Sequence, residues 1–467
     1  MRYISTRGAS PAIGFKAALL AGLAPDGGLY MPETWPALTP AKIADFAGRA
    51  YAEVAADILG RFAGDEIPAA VLAGICADAY AAFDHPAVAP LRQLMPGVFI
   101  LELFHGPTLA FKDVAMQLLA RLYEYVLKSQ GRTLTIVCAT SGDTGGAAVE
   151  AFRGRANVRI VALYPAGRVS EVQRRFMTTA PDDNVRTLAI DGDFDDCQAL
   201  LKAMFADQVF AREIDLSAVN SINFARVAAQ SVYYFTAAAA LGAPGRPVRF
   251  AAPTGNFGDA FAGYAAWRMG LPSERILVAT NSNDIIARAL TTGHYRRGPA
   301  VATQSPAMDI QVASNFERLY FEACGRDGAA TAAAFASFAQ AGDLWIPPHV
   351  LGAMRALFQG VAVSESETAA AMADIFNRTG EIIDPHTAVA VAGAGKADLE
   401  PRATPLVILS TAHAAKFPEA VLAATGVSPA PPPSVVRRAA APERISRLPA
   451  DLGAVKAWLR RFVAGVA

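Results

Sequence analysis

The sequence predicts an α/β fold built around a parallel β-sheet with helices on both faces. Between about residues 97 and 340, apolar strand-like runs alternate with helical stretches, which is the pattern of βαβ units. The chain has 467 residues, of which 53% are hydrophobic, so it can bury the core that such a sheet requires. At roughly 150 residues per domain, we expect two or three domains.

The expected elements follow the chain in order. Residues 1 to about 90 open with strand and turn pieces and continue as Ala-rich helix, as in AKIADFAGRAYAEVAADIL at 41–59. The segment SPAPPPSVVRRAAAPER at 428–444 is Pro-rich and predicts a loop, and LGAVKAWLRRFVAGV after it predicts a C-terminal helix. The strand candidates are VFILEL, TLTIVCA, VRIVALYP, VRTLAI, PVRFAAP, ERILVATN and TPLVILST.

Charge and cysteine usage exclude several classes of protein. The 42 Lys and Arg residues balance 42 Asp and Glu residues, which disfavours nucleic-acid binding. The four cysteines lie far apart without metal-ligand spacing, and they predict reduced thiols, no metal site and a cytoplasmic protein. No apolar run reaches the ~20 residues of a membrane-spanning helix. AALLAGLA at 17–24 resembles the apolar part of a signal peptide, but no clear cleavage site follows it.

Two segments share one form, in which a buried strand leads through a small-residue loop into a helix. They are TLTIVCATSGDTGGAAVEAF at 133–152 and PVRFAAPTGNFGDAFAGYAAWRMG at 247–270. Loop N–H groups and a helix N-terminus together make an anion site. Neither loop contains GxGxxG or GK[ST], so a nucleotide site is disfavoured. For either loop alone, a βα turn that uses glycine for close packing remains an alternative.

A third segment, NSINFARVAAQSVYYF at 220–235, places polar residues ahead of an apolar helical pattern. Asn220 and Arg226 are candidates to face a cleft and bind a phosphate or carboxylate. An ordinary N-cap asparagine followed by a surface arginine remains the alternative.

Lys112 is the candidate reactive residue. Apolar residues recur every four positions from Val114 to Val126, which predicts an amphipathic helix that starts near Asp113. The positive end of that helix and apolar neighbours such as Phe111 should lower the pKa of an amine at this place. Such an amine suits Schiff-base chemistry, although a surface lysine at the foot of a helix is the alternative.

The segment HGPTLAFKD around Lys112 resembles the lysine segment of the threonine synthases. These are pyridoxal-phosphate (PLP) enzymes with the tryptophan synthase β-subunit-like fold, also called fold type II. Further segments resemble the bacterial and fungal-type members in the same order, to about residue 425: MRYISTRG, PDGGLYMP, ATSGDTGGAA, NSINFAR, PTGNFGD, DPHTAVA and LSTAHAAKFPEA.

The resemblance implies two open, twisted, mostly parallel sheets flanked by helices, plus an N-terminal, mainly helical region. The domains expected are an N-terminal region at 1–90, a PLP-dependent core at 91–425, and a Pro-rich segment with a helix at 426–467. A small domain at about 115–240 is expected to be inserted in the larger one.

The resemblance also implies an activity, the conversion of O-phospho-L-homoserine and water to L-threonine and phosphate, the last step of threonine biosynthesis. It implies a small-molecule substrate and a monomer or homodimer. A serine or threonine dehydratase of the same superfamily is the alternative. It needs no second anion pocket, so Asn220, Arg226 and the N-terminal STRG favour a threonine synthase.

Roles for single residues follow from the same resemblance. Lys112 is expected to form the Schiff base with PLP and then to move protons. The other expected cofactor ligands are Asp143 near O3′, Thr411 at the pyridine nitrogen, and Thr254, Gly255, Asn256, Phe257 and Gly258 at the phosphate. The expected substrate ligands are Asn220 and Arg226 at its phosphate, with Thr140, Ser141, Gly142 and Thr144 at its α-carboxylate.

Two further expectations concern charge and histidine. Asp143 would repel a phenolate at O3′ unless the two groups share a proton or O3′ is protonated. His105, His386 and His413 lie in matching segments and are interpreted as shaping the site rather than binding metal.

Overall fold

A computed structural model of the chain describes residues 1–140, 142–219, 221–397, 399 and 404–466. The chain forms two compact units. The large unit consists of Met1–Phe111 with Ser221–Ala430, and the small unit consists of Lys112–Asn220 with Pro431–Ala467.

The strands of the described residues are β1 Arg2–Ser5, β2 Ile13–Gly14, β3 Tyr30–Pro32, β4 Leu91–Met95, β5 Val98–Glu102, β6 Leu134–Ala139, β7 Val158–Pro165, β8 Val185–Asp191, β9 Leu216–Ser217, β10 Val248–Pro253, β11 Ser273–Thr280, β12 His294–Arg296, β13 Asp343–Trp345, β14 Phe358–Ala362, β15 Leu406–Ser410 and β16 Ser446–Pro449. The α-helices are α1 Phe15–Ala21, α2 Pro40–Ala44, α3 Tyr51–Ala63, α4 Ala69–Tyr80, α5 Lys112–Gln130, α6 Asp143–Phe152, α7 Glu171–Thr178, α8 Phe194–Ala206, α9 Gln208–Glu213, α10 Phe224–Ala240, α11 Gly258–Arg268, α12 Ile285–Thr292, α13 Phe316–Ala323, α14 Gly328–Ala341, α15 Pro348–Arg355, α16 Glu365–Thr379, α17 Pro385–Lys396, α18 Pro418–Thr425, α19 Pro433–Ala440 and α20 Leu452–Val463.

A six-stranded sheet with the order β14-β11-β10-β15-β5-β4 organises the large unit. Its strands pair in parallel except β4, which runs antiparallel to β5 at the edge. Strand β10 is buried along its whole length, as a parallel strand covered on both faces must be. Helix α17 packs on β10, β11 and β15, so this sheet and helix form the centre of the core.

The N-terminal part of the large unit combines a small sheet with helices α1 to α4. Strand β1 pairs antiparallel with both β2 and β3. The helical stretch expected at 41–59 is interrupted, because α2 ends at Ala44 and α3 begins at Tyr51. Gly48, between them, has a φ of +75°, which a helix cannot accommodate.

A five-stranded, fully parallel sheet with the order β16-β8-β7-β6-β9 organises the small unit. Helices α8 and α20 pack with it around one apolar cluster that includes Val137, Leu163, Leu188, Met204 and Leu459. Each strand candidate read from the sequence is a strand here or in the large unit. The predicted fold, with two mostly parallel sheets flanked by helices, is confirmed.

The loop predicted at 428–444 was wrong in part. Helix α19 lies inside it, and β16 follows it and pairs with β8. Pro433 occupies the first turn of α19, where a missing N–H costs nothing. Arg438 from this helix is paired with Glu150 and donates to Thr179, so contacts with distant segments stabilise it.

The predicted domain limits remain predictions.

Among the helices of the described ranges, none combines the length and apolar character that crossing a lipid bilayer requires.

Candidate active site

The loop at residues 254–258 lies where β10 ends and α11 begins. The Thr254 N–H donates to Ala279 O over 2.8 Å, which continues the pairing with β11. The Thr254 hydroxyl donates to Ala252 O, near the end of β10, over 2.8 Å, so its proton is already used in a hydrogen bond within the protein. Phe257 has a φ of +62°, a left-handed conformation that turns the chain into α11.

The close packing of this loop explains its glycine. A Cβ on Gly255 would lie 2.9 Å from Ala307 O and 3.2 Å from Met308 Cα, so no larger residue fits there. Among the described residues, no backbone or side-chain acceptor is bonded to the N–H groups of residues 255–258. Unbonded N–H groups at a helix N-terminus attract a phosphate. The loop therefore fits the phosphate of the expected cofactor.

Thr411 follows β15, the neighbour of β10 in the large sheet. Since Ala251 pairs with Ile408 in parallel register, Thr411 and Thr254 occupy the same edge of the sheet. The Phe111 N–H donates to Thr411 O over 2.8 Å. Thr411 is buried, and its hydroxyl has no hydrogen-bond partner within the described part of the chain. That hydroxyl is therefore a candidate partner for the pyridine nitrogen, and its role stays a prediction.

Arg226 lies in the first turn of α10 and is 4% exposed. Burial removes water from a guanidinium, so anionic or carbonyl partners must replace it. Asn223 proves to be the N-cap of this helix, accepting from the Ala225 N–H and donating to Leu19 O over 2.7 Å. Asn220, the other candidate phosphate ligand, lies outside the described residues.

In the small unit, residues 140–144 connect the end of β6 to the first turn of α6. The Thr140 hydroxyl accepts from the N–H groups of Gly142 at 3.0 Å and Gly145 at 2.9 Å. Gly142 has a φ of +140°, and a Cβ there would lie 2.6 Å from the side chain of Gln173. The loop thus requires glycine at this position. Ser141, a candidate substrate ligand, lies outside the described residues.

Lys112 is the first residue of α5, as the sequence predicts. Its Nζ lies 3.7 Å from Asp143 Oδ2, and both side chains are largely buried. Gln173 Nε2 donates to the other Asp143 oxygen over 3.0 Å. The carboxylate attracts the ammonium form of Lys112, whereas the positive N-terminus of the helix repels it. Asp143 therefore has a cation beside it, which the sequence did not reveal.

His386 contacts the 254–258 loop indirectly, through Ala307. Its Nε2 accepts from the Ala307 N–H over 3.3 Å, and its Nδ1 donates to Asp384 over 2.8 Å. These contacts require a neutral ring with its proton on Nδ1. Because Ala307 contacts Gly255, His386 helps to hold the surface against which the loop packs.

The other two histidines also contact protein groups. His105 Nε2 lies 2.7 Å from Glu102 Oε2, and His413 Nδ1 accepts from the Ala415 N–H over 3.1 Å. Burial lowers the pKa of His413, which keeps its ring neutral at physiological pH.

The segment at 305–318, which packs on the 254–258 loop, was not predicted from the sequence. Its Asn315 and Arg318 are fully buried and hydrogen-bonded. A signal was present, because NFER at 315–318 repeats the form of NFAR at 223–226, with asparagine before a helix and arginine in its first turn.

Comparison with known families covers nearly the whole chain. The family described as "Threonine synthase N terminus" matches residues 2–80, and "Threonine synthase, C-terminal" matches 387–459. "Pyridoxal-phosphate dependent enzyme" matches residues 85–411.

Individual proteins that are similar to this chain are threonine synthases as well. A threonine synthase of Pseudomonas aeruginosa is 49% identical over 460 residues and covers 98% of each chain. The solved structure of a PLP-bound threonine synthase from Brucella melitensis is 50% identical, with a TM-score of 0.97 over 99% of each chain. The threonine synthase structure from yeast is 37% identical, with a TM-score of 0.93 over 99% of each chain. The chain therefore belongs to the threonine synthase family of pyridoxal-phosphate-dependent enzymes.

Proposed function

We propose that the protein converts O-phospho-L-homoserine and water to L-threonine and phosphate, with PLP as its cofactor. The observation that carries this proposal is similarity to threonine synthases over 98% of the chain. Lys112 at the start of a helix, beside Asp143, adds the arrangement of groups that PLP chemistry needs.

We further propose that the 254–258 loop binds the cofactor phosphate through its backbone N–H groups, and that Thr411 partners the pyridine nitrogen. When bound, PLP withdraws electrons from the attached amino acid and makes its Cα and Cβ hydrogens acidic. A hydroxyl partner need not keep the pyridine nitrogen charged. The reaction then depends more on accurate placement and proton transfer by the protein.

Lys112 is the residue assigned to proton transfer. Its amine takes a proton from Cα and then one from Cβ of the substrate, and the C–O bond at Cγ breaks as phosphate leaves with one of these protons. The amine then returns a proton to Cγ, accepts one from the water that adds at Cβ, and returns one to Cα. One mobile amine can serve these steps in turn as base and acid. Asp143, 3.7 Å away, stabilises the charged amine between steps.

Substrate recognition is assigned to three parts of the chain. Arg226 and Asn220 bind the substrate phosphate, and residues 140–144 bind the α-carboxylate through hydroxyl and backbone N–H groups. The buried position of Arg226 supports its role, since a buried guanidinium binds an oxyanion strongly. Gly142, whose N–H already donates to Thr140, shapes the loop for this purpose.

We also propose a cytoplasmic location and a monomeric or homodimeric state. Support for the location comes from the four cysteines, which are thiols rather than disulfides in the described part of the chain. Cell fractionation tests the location, and light scattering of the purified protein distinguishes one chain from two.

Replacing Lys112 tests the proposed activity. We expect Lys112→Ala to lower phosphate release from O-phospho-L-homoserine by about 10²–10⁴-fold or more, because the proton-transferring amine is gone. Lys128→Ala, at the exposed end of the same helix, is the matched control and should retain wild-type release. Full phosphate release by Lys112→Ala would overturn the mechanism.

The dehydratase alternative is tested with the wild-type protein. A threonine synthase releases phosphate and forms L-threonine from O-phospho-L-homoserine. A dehydratase instead forms a 2-oxo acid and ammonia from L-serine or L-threonine without consuming the phosphate ester. Release of oxo acid without any phosphate release would reject the proposal.

A further inference from the structure

The 254–258 loop and the 221–226 segment are joined by residues that do not belong to either one. Asn315 lies just before α13 and is fully buried. Its Nδ2 donates to Ser221 O over 3.1 Å and to Asn256 O over 3.1 Å. One amide group therefore holds a carbonyl of each segment.

The orientation of this amide is fixed by its partners. Its Oδ1 accepts from Arg318, and an arginine can only donate. The two carbonyl groups on the other side can only accept, so they face Nδ2. No flipped arrangement satisfies all three partners, and the amide is a rigid bridge.

A second bridge runs parallel to the first. The Ser314 hydroxyl donates to Asn256 Oδ1 over 3.0 Å and lies 2.9 Å from the Ser221 hydroxyl. A Cβ on Gly258 would lie 3.3 Å from Asn315 Nδ2, so the helix start also packs against this amide.

Arg318 fixes the bridge to the rest of the large unit. It donates to Ile222 O over 2.5 Å and to Tyr30 O, at the start of β3, over 3.2 Å. Burial lowers the pKa of Arg318 to about 9, with Glu317 opposing the shift, so it is charged at neutral pH. A charged donor makes stronger hydrogen bonds to carbonyl groups than a neutral one.

We propose that Asn315, held by Arg318, is a positioning residue that sets the distance between the cofactor-phosphate loop and the substrate-phosphate segment. The inference rests on the proposed function, which assigns one phosphate to each segment. Two anion sites joined by one amide move together, so disturbing that amide weakens both. Neither Asn315 nor Arg318 is assigned a contact with the reacting atoms.

The test is Asn315→Asp, a change of similar volume that replaces both donated hydrogen bonds with repulsion between oxygens. Two affinities are measured without turnover: PLP for the apoenzyme by fluorescence quenching, and inorganic phosphate for the holoenzyme by calorimetry. Because the loss of one hydrogen bond weakens binding by about tenfold, we expect the affinities for PLP and for phosphate each to fall by about tenfold. The KM for O-phospho-L-homoserine should rise by a similar factor.

Arg326→Met is the matched control. Arg326 donates to Pro32 O, so it also anchors β3, and its other contacts are with Glu322 and Phe321 rather than with the bridge. Both affinities should stay within about twofold of wild type. An equal loss in this variant would assign the effect to β3 and overturn the proposal.

Other outcomes are also decisive. Asn315→Asp with both affinities unchanged, or with only one weakened, contradicts a shared bridge. If this variant does not fold, Ser314→Ala removes only the second bridge, and unchanged affinities there reject the proposal. Failure of the proposed function would appear separately, as wild-type protein that binds PLP but releases no phosphate.

Discussion

Gln173 links the glycine loop of the small unit to its pair of opposite charges. Its side chain occupies the space that a Cβ on Gly142 would need, and its Nε2 donates to Asp143. Asp143 in turn lies 3.7 Å from the Lys112 amine. The shape of the loop and the position of the proposed catalytic amine therefore depend on one glutamine.

Replacing Gly142 with alanine tests this dependence. The added methyl group meets Gln173 at 2.6 Å, and a φ of +140° strains any residue except glycine. Because small displacements in a site are costly, we expect phosphate release to fall by about 10²-fold while the protein stays folded. Gly131→Ala is the control, since its φ is +62° and nothing lies near its Cβ. Equal activity of the two variants would contradict this role of Gly142.

At the scale of elements, the start of α16 contributes to the stability of the fold through the charge of one carboxylate. Ser364 and Glu367 form a capping box at its start, and Lys396 at the end of α17 pairs with Glu367. The Ser364 N–H, Lys396 and the Ser364 hydroxyl together lower the pKa of Glu367 to about 2. The carboxylate form therefore stabilises the folded state.

The pH dependence of this contribution has a definite sign. Since the pKa is lower in the folded than in the unfolded chain, the contribution is full above about pH 5 and is lost as the pH falls toward 2. Glu367→Gln should lower the melting temperature at pH 7, and the difference from wild type should shrink on acidification. Glu419→Gln changes the same charge in the first turn of α18, which has no side-chain cap. A difference that is constant from pH 7 to pH 3 would contradict the assignment.

Individual elements differ in how well short-range patterns in the sequence predict them. Strand β7 is nearly continuously apolar, and α5 carries its apolar residues on a regular face, so both were evident from the sequence. Helix α19 has no buried residue and begins at the last of three consecutive prolines. Its Arg438 lies over the ring of Phe176 and pairs with Glu150, so distant partners rather than its own pattern stabilise it.

At the scale of the whole molecule, the C-terminal segment completes the small unit. Strand β16 adds a parallel edge to β8, although more than 250 residues of chain separate them. Helix α20 adds Val455, Trp458, Leu459 and Phe462 to the apolar cluster of that unit. The small unit therefore depends on the last part of the chain as well as on Lys112–Asn220.

Leu459→Ala tests this dependence. Leu459 is 0% exposed, and truncating a buried leucine costs about 2–5 kcal/mol in the free energy of unfolding. We expect faster amide hydrogen exchange in β6 and β7 and little change in the sheet of the large unit. Val436→Ala, at a residue 55% exposed on α19, should change stability by less than about 0.5 kcal/mol. Unchanged exchange in β6 and β7 would contradict the role assigned to α20.

The sequence by itself determined seven of the eleven strands in the two large sheets, the two glycine loops at strand ends and the lysine at a helix start. Each of these features depends on residues that lie close together in the chain, because strand alternation, helical periodicity and glycine conformations are local properties. The order of motifs was enough to identify the family. The same local patterns were enough to nominate Lys112, Arg226 and the 254–258 loop, whereas Thr411 followed only from the family resemblance.

Only the tertiary structure decided which of these parts meet. Parallel register brings Thr254 and Thr411 to one edge, folding places Asp143 beside Lys112, and Asn315 reaches Ser221 across 94 residues. These pairings depend on how buried donors find acceptors once apolar surfaces have packed. Burial without a partner costs roughly 1–3 kcal/mol for each polar group. That cost selects among three-dimensional arrangements, and no local pattern in the sequence records it.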